Sequence, residues 1–231
     1  MKQRIVVLTG AGISAESGIN TFRDADGLWE GHDVAKVASP FGFAKNPALV
    51  LDFYNQRRKQ LLQVLPNKAH KALARLEDKF DVTIITQNVD DLHERAGSSL
   101  VLHLHGELLK VRSTGDPSLI LDWKKDLNLG DNCKNGYQLR PHIVWFGEEV
   151  PLLEEAVYLT QNADILLIIG TSLRVYPAAG LVNYVKHGAP IYFIDPKPNV
   201  KEVDYMNLTI IPQNATEAVP LVVSDLVGRA I

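Results

Sequence analysis

Five short, almost wholly apolar runs limit what this chain can fold into: "RIVVLTG" (4–10), "DVTIITQN" (81–88), "LVLHLHG" (100–106), "ADILLIIGTS" (163–172) and "APIYFIDP" (189–196). A strand with one wet face alternates apolar and polar residues, whereas a strand apolar at every position has both faces buried. Helical spacing of apolar residues lies between the runs, in "PALVLDFYNQRRKQLLQVL" and "NKAHKALARLEDKF" and more briefly in "EEAVYLTQNA" and "AAGLVNYVKHG", where Gly188 suits a helix end. Strands of this kind alternating with helices predict an α/β fold, a Rossmann-like, doubly wound parallel sheet, with ligands beyond the carboxyl ends of the strands. Residues from about 109 to 145 break the rhythm with turn-rich stretches ("STGDPS", "LGDNCKNG") and read as a small inserted module.

Bulk properties exclude several classes. A formal net charge of −3 without a basic stripe gives no case for nucleic acid. One cysteine, Cys133, excludes an internal disulfide and any multi-cysteine metal site. The opening "MKQRIVVLTG" is too short for a signal segment, and "ADILLIIG" is too short to span a bilayer. A cytoplasmic protein without a membrane partner is expected, and nothing in the sequence speaks to oligomeric state.

Polar motifs follow the apolar runs. In "TGAGISAESGINTFR" (9–23), Gly10, Gly12 and Ala15 fit the G-x-G-x-x-G/A fingerprint. Gly10 would permit a tight turn, Gly12 would admit a pyrophosphate, and Ala15 would let a following helix pack closely. A dehydrogenase should also carry an acid ending its second strand about 20 residues on, and "INTFRDADGLWEGHD" has acids but no strand. In "TQNVDDLHERAG" (86–97), Gln87, Asn88 and Asp90 could hold a ribose or a carboxamide, or Asn88 or Asp90 could cap a helix. "LVLHLHGEL" (100–108) sets His103 and His105 on one face of a strand, as a metal pair, a base with a neighbour, or two core histidines.

Taken in order, "GAGISAESGI…FR", "TQNVDDLH", "HGE" and "GTS" resemble the sirtuin family of NAD-dependent protein-lysine deacylases, over nearly the whole chain. The resemblance implies one catalytic domain. Its NAD-binding core would comprise residues of about 1–30, 65–108 and 146–231, with the small module at about 109–145 and a helical cleft segment at about 31–64. It makes His105 the general base and leaves His103 a neighbour under the site. Gly10, Ala11 and Gly12 would cradle the pyrophosphate, and Phe22 and Arg23 would lie over the nicotinamide ribose. Gln87, Asn88 and Asp90 would hold that ribose and the carboxamide, while Gly170, Thr171 and Ser172 would meet the adenosine side. Asp195 stands where the family usually has asparagine, and the adenine would lie near Asn214 and Ala215. NAD would be a co-substrate, acyl-lysine proteins the partners, and nicotinamide and O-acyl-ADP-ribose the products. A mono-ADP-ribosyltransferase and a catalytically silent NAD- or ADP-ribose-binding module are the rival readings.

Two departures refine the expectation. Many sirtuins tie the small module with four cysteines on zinc, but here Ser113 stands at the first cysteine position and only Cys133 is present. Structural zinc is therefore expected to be absent, with no metal ligands, and the module held by packing of residues such as Leu121, Trp123 and Tyr137. In "FYNQRR", Tyr54 and Arg57 are three apart on a predicted helix. They read either as an exposed helix with a half-buried tyrosine or as the Y-x-x-R pair of the desuccinylase and demalonylase (class III) subclass. In the second reading they grip the acyl carboxylate, with Ala38 leaving room for the longer acyl chain. Removal of succinyl and malonyl groups, with acetyl as a further substrate, is the expected activity.

Overall fold

The computed structural model describes residues 2–20, 28–29 and 31–229. The elements run β1 (Arg4–Thr9), β2 (Leu28–Trp29), β3 (His32–Asp33), α1 (Val34–Val37), α2 (Pro40–Lys45), α3 (Pro47–Gln63), α4 (Lys68–Leu76) and β4 (Asp81–Thr86). They continue with α5 (Leu92–Ala96), β5 (Val101–His103), β6 (Gly106–Ser113), β7 (Ile120–Asp122), β8 (Leu139–Ile143) and α6 (Leu153–Gln161). Last come β9 (Ile165–Ile169), β10 (Ile191–Ile194), β11 (Leu208–Ile211) and α7 (Ala215–Arg229).

Six strands form a parallel sheet in the order β11-β10-β9-β1-β4-β5. Alternate residues of each strand enter two separate cores, which is why the runs are apolar throughout. Ile5, Val7, Val82, Ile84, Leu167 and Ile169 pack against Leu73 and Leu76 of α4 and Val219 and Val223 of α7. Val6, Leu8, Ile85, Leu166 and Ile168 pack on the other face against Ala156 of α6 and against Leu181 and Val182. Each fully buried Val, Leu or Ile side chain contributes about 1.5–3 kcal/mol, so the sheet is the rigid part of the molecule. The chain leaves β1 toward β4 on one side and returns through β9 to β10 on the other. The order therefore reverses between β1 and β9, and a crevice opens at their carboxyl ends.

Three features depart from the sequence expectations. The segment after β1 is two 3₁₀ turns, Ala11–Ile13 and Ala15–Ser17, rather than an α-helix, and Ala15 is exposed and packs no helix. The stretch expected to be helical up to Gly188 is a 3₁₀ helix ending at Tyr184, while Gly188 (φ +84°) lies in the turn before β10. The small module is an antiparallel sheet, β7-β6-β8, and Leu121 and Tyr137 do not form its core. β7 is a fully exposed edge strand, and the Tyr137 ring instead covers Gly115, where any side chain would strike it. The module's core is Val111, Leu127, Cys133 and Leu139 with Leu51 of α3, and Trp123 packs at its margin.

Two buried polar residues of α3 fasten the module to the rest of the molecule. The Asn55 amide donates to Leu127 O (3.0 Å) and accepts from Leu127 N (2.8 Å). Arg58 donates to Leu108 O (3.2 Å) and to Asn55 Oδ1 (2.7 Å).

Candidate active site

A cavity of about 260 Å³ occupies the crevice between the sheet's carboxyl edge, the α3 segment and the start of the small sheet. Its wall brings together Gly10, Ala11, Gly12, Gln87, Asn88, Asp90, His105, Gly170, Thr171 and Ser172 with Tyr54 and Arg57. Residues up to 162 positions apart in sequence thus meet because β1, β4, β5 and β9 end on one edge. Asp195 and Ala215 lie one step outside it. Asp195 is buried at the end of β10 with its carboxylate accepting from Lys197 N (2.8 Å), and Ala215 opens α7. Phe22 and Arg23 lie outside the described residues.

The two glycines have a reason of their own. Gly10 has extended backbone (φ −125°, ψ −177°), so it makes no left-handed turn. A Cβ on Gly10 would stand 2.7 Å from Thr171 Cβ, and one on Gly12 would stand 2.6 Å from Gly170 Cα. The loops after β1 and β9 close on each other through Gly10 N–H to Ile169 O (3.0 Å) and Gly12 N–H to Gly170 O (2.8 Å). Glycine is therefore demanded first by the meeting of two strand ends. Gly10, Gly12 and Gly170 also leave bare backbone in the cavity wall, where a pyrophosphate can approach closely, so the residues present fit a dinucleotide.

The two histidines prove chemically distinct. β5 ends at His103, and the chain turns before Gly106. His103 Nδ1–H donates to Asn88 O (3.1 Å) and Nε2–H to Glu94 (2.7 Å). Although burial opposes the charged form, these partners raise its pKa and favour the imidazolium. His105 has burial as its main influence, which lowers its pKa and keeps the ring neutral. Its Nδ1 lies 2.9 Å from Gln87 O. A carbonyl only accepts, so Nδ1 carries the proton and Nε2 keeps the lone pair that a base requires.

Beneath the crevice runs a buried polar layer of which sequence reading caught only Asn88 and Asp90. Asn67 N–H faces His70 Nδ1 (3.4 Å), and His70 Nε2 faces Ser14 Oγ (3.5 Å). Ser14 O–H donates to Asp90 Oδ2 (3.0 Å), Leu92 N–H donates to Asp90 Oδ1 (3.2 Å), and Asn88 Nδ2 reaches Gly10 O (3.2 Å) and Ser14 Oγ (3.3 Å). Burial raises the Asp90 carboxyl to about 6 and lowers His70 to about 4. Ser14 sits one turn past the glycines. His70 lies on α4, whose amphipathic pattern gives no sign of a polar role.

On the opposite wall, Tyr54 is fully buried and its hydroxyl accepts from Trp145 Nε1–H (2.9 Å). Arg57 lies half-buried with its guanidinium over the Phe53 ring (3.8 Å) and Nη1–H on Phe53 O (2.8 Å). Ala38, small and buried, lines the same cavity.

In the small module Ser113 and Cys133 stand side by side. Ser113 Oγ accepts from Gly115 N and Asp116 N (3.2 Å each) and from the Cys133 thiol (3.3 Å). Among the described residues no cluster of three His, Cys, Asp or Glu side chains could hold a metal.

A crevice at the switch point of a parallel sheet, with a glycine-lined floor, a neutral histidine and a buried amide and carboxylate, defines an α/β nucleotide-dependent enzyme fold. The Sir2 family profile matches residues 10–177, and the chain belongs to that family. An NAD-dependent protein deacylase of Helicobacter pylori is 61% identical over 228 residues, covering 99% of both chains. One from Bacteroides thetaiotaomicron is 60% identical over 202 residues, covering 85% of this chain and 86% of the relative. Among solved structures, a Sir2 homolog–NAD complex superposes with a TM-score of 0.89 at 39% identity, covering 100% of this chain and 91% of the other. A Sir2–p53 peptide–NAD⁺ complex gives 0.81 at 31% identity, covering 97% and 93%.

Proposed function

We propose that this chain, an NAD-dependent protein deacylase, takes succinyl- and malonyl-lysine as its preferred substrates and processes acetyl-lysine as well. The observation that carries the preference is that Tyr54, Arg57 and Ala38 share one cavity with His105, Asn88 and the glycine loops. An arginine beside a phenol suits a carboxylate at the end of an acyl chain, because the planar guanidinium accommodates both oxygens.

NAD, when bound, supplies the nicotinamide–ribose bond whose cleavage drives the transfer. The chain's own residues do the rest. His105, neutral and protonated on Nδ1, presents Nε2 as the base for a ribose hydroxyl. Asn88 and Asp90 serve the ribose and carboxamide, with Gln87 spanning to Thr171 Oγ1 (3.1 Å) across the floor. Asp195, Ser172 and Ala215 serve the adenosine side, and Phe22 and Arg23 the nicotinamide ribose. The parallel sheet forms the NAD-binding core of a single catalytic domain, and the small module and α1–α3 supply the other cleft wall. The small module works without zinc.

Replacing Arg57 with methionine tests the preference. The ratio of succinyl to acetyl kcat/KM, measured on matched peptides, should collapse. Equal losses on both substrates would sink the assignment.

A further inference from the structure

The segment "WFGE" (145–148) is held more rigidly than a cavity wall requires. Glu148 N–H donates to Trp145 O (3.0 Å), Gly147 supplies the left-handed residue of the turn (φ +91°), and the Glu148 carboxylate accepts from Trp145 N–H (2.8 Å). That carboxylate is in turn clamped by Arg140 (2.6 and 3.0 Å) and by Arg112 (3.0 Å). The Arg140 guanidinium lies 3.3 Å from the centroid of the Trp145 ring. Turn and carboxylate fix the Trp145 backbone, the guanidinium stacks on the indole, and the indole N–H ends on the Tyr54 hydroxyl at 2.9 Å.

An indole N–H only donates, so the Tyr54 oxygen must be the acceptor and its own proton must point elsewhere. Among the described residues the Tyr54 hydroxyl makes no hydrogen bond besides the one from Trp145, and Tyr54 is part of the cavity wall. The charges bearing on the phenol are Arg140 and Arg57, with Glu148 opposing them. We propose that Trp145 is a positioning residue for acyl specificity: by occupying the acceptor side of the Tyr54 hydroxyl, it fixes that group as a hydrogen-bond donor toward an anionic acyl end. This rests on the preference for acidic acyl groups proposed above. It adds that the polarity of the tyrosine is set by the indole, so that the Y-x-x-R pair works as a unit with "WFGE".

The test is Trp145→Phe, which removes the N–H and keeps a ring for Arg140 to stack on. Values of kcat and KM are measured for the wild type and the variant with NAD and one peptide, succinylated or acetylated on the same lysine. The succinyl-to-acetyl ratio of kcat/KM should fall about five- to tenfold, the worth of one neutral hydrogen bond, with the change carried by KM for the succinyl peptide. A variant that loses the same factor on both peptides would overturn the proposal, since it would make Trp145 a packing residue only. A wild type without preference for the succinyl peptide would overturn the acyl assignment itself, a failure visible before any variant is made. An independent measurement is the indole ¹H–¹⁵N spectrum, which has three tryptophan signals, from Trp29, Trp123 and Trp145. Tyr54→Phe should shift the Trp145 signal most, and an unmoved signal would refute the hydrogen bond on which the proposal stands.

Discussion

Substituting Gly12 with alanine separates the two reasons a glycine can be needed at this loop. The new Cβ would stand 2.6 Å from Gly170 Cα, 2.8 Å from Gly170 O and 3.0 Å from Gly170 C, all backbone atoms, where ordinary contacts begin at 3.4 Å. Relief requires the β1 and β9 loops to part by roughly 0.8 Å. That would stretch the 2.8 Å Gly12 N–H to Gly170 O bond beyond hydrogen-bond range. Overpacking and a lost buried bond together cost about 2–5 kcal/mol, or roughly 5–20 °C of Tm for a domain of this size. Thermal unfolding without NAD is the assay, because it reads the clash and not the ligand. The control is Ala15→Ser on the exposed second turn, expected within about 0.5 kcal/mol of wild type. A Gly12→Ala protein with wild-type Tm and impaired NAD binding would refute the reasoning, since the glycine would then serve only the approach of the ligand.

Asp90→Asn should stabilise the protein at pH 7 while abolishing turnover. Burial lifts the folded carboxyl from 3.8 to about 6, so the ionised form is disfavoured in the native state. The cost is absent below the unfolded pKa, grows as pH rises between about 4 and 6, and reaches roughly 3 kcal/mol above that. The Tm gain of the variant should therefore shrink toward pH 4, and a gain independent of pH would contradict the buried charge. His70 has the opposite sign: with a folded pKa near 4, it favours folding above its ordinary value of 6.5 and that contribution is lost as pH falls. His70→Gln should flatten the loss of stability between pH 6.5 and 4, read by chemical denaturation across that range. Ser113→Ala should cost about 0.5–1.5 kcal/mol by removing the acceptor of the Gly115 and Asp116 amides, which water can partly replace. The wild type should keep its Tm in chelator and contain no stoichiometric zinc by elemental analysis, and one zinc per chain would overturn the metal-free module.

The sheet was legible in the sequence because burial on both faces leaves no polar position to interrupt a run. β11 and α7 passed unnoticed for local reasons. "LTII" is a four-residue edge strand, and α7 carries Pro220 inside it. The 3₁₀ turns after β1 were hidden by a fingerprint that normally opens a helix, so Ala15 received a packing role it does not have. The core of the small module was not readable. Leu127 and Cys133 sit in a turn-rich stretch without period; the side-chain amide of Asn55, 72 positions away, holds Leu127, and Ser113 meets the Cys133 thiol. The site residues that follow β1, β4, β5 and β9 announced themselves, since polar motifs at successive strand ends imply one crevice, whereas Asp195 after β10 lies outside it. Ser14, His70 and Trp145 did not, because each acts through a neighbour that only the folded chain brings near.

The most direct test of the account is nicotinamide release by the wild-type chain with NAD and matched peptides, one succinylated and one acetylated on the same lysine. Release from both, with the higher kcat/KM on the succinyl peptide, is the predicted result. Faster turnover of the acetyl peptide, or no NAD-dependent release from either, would contradict it.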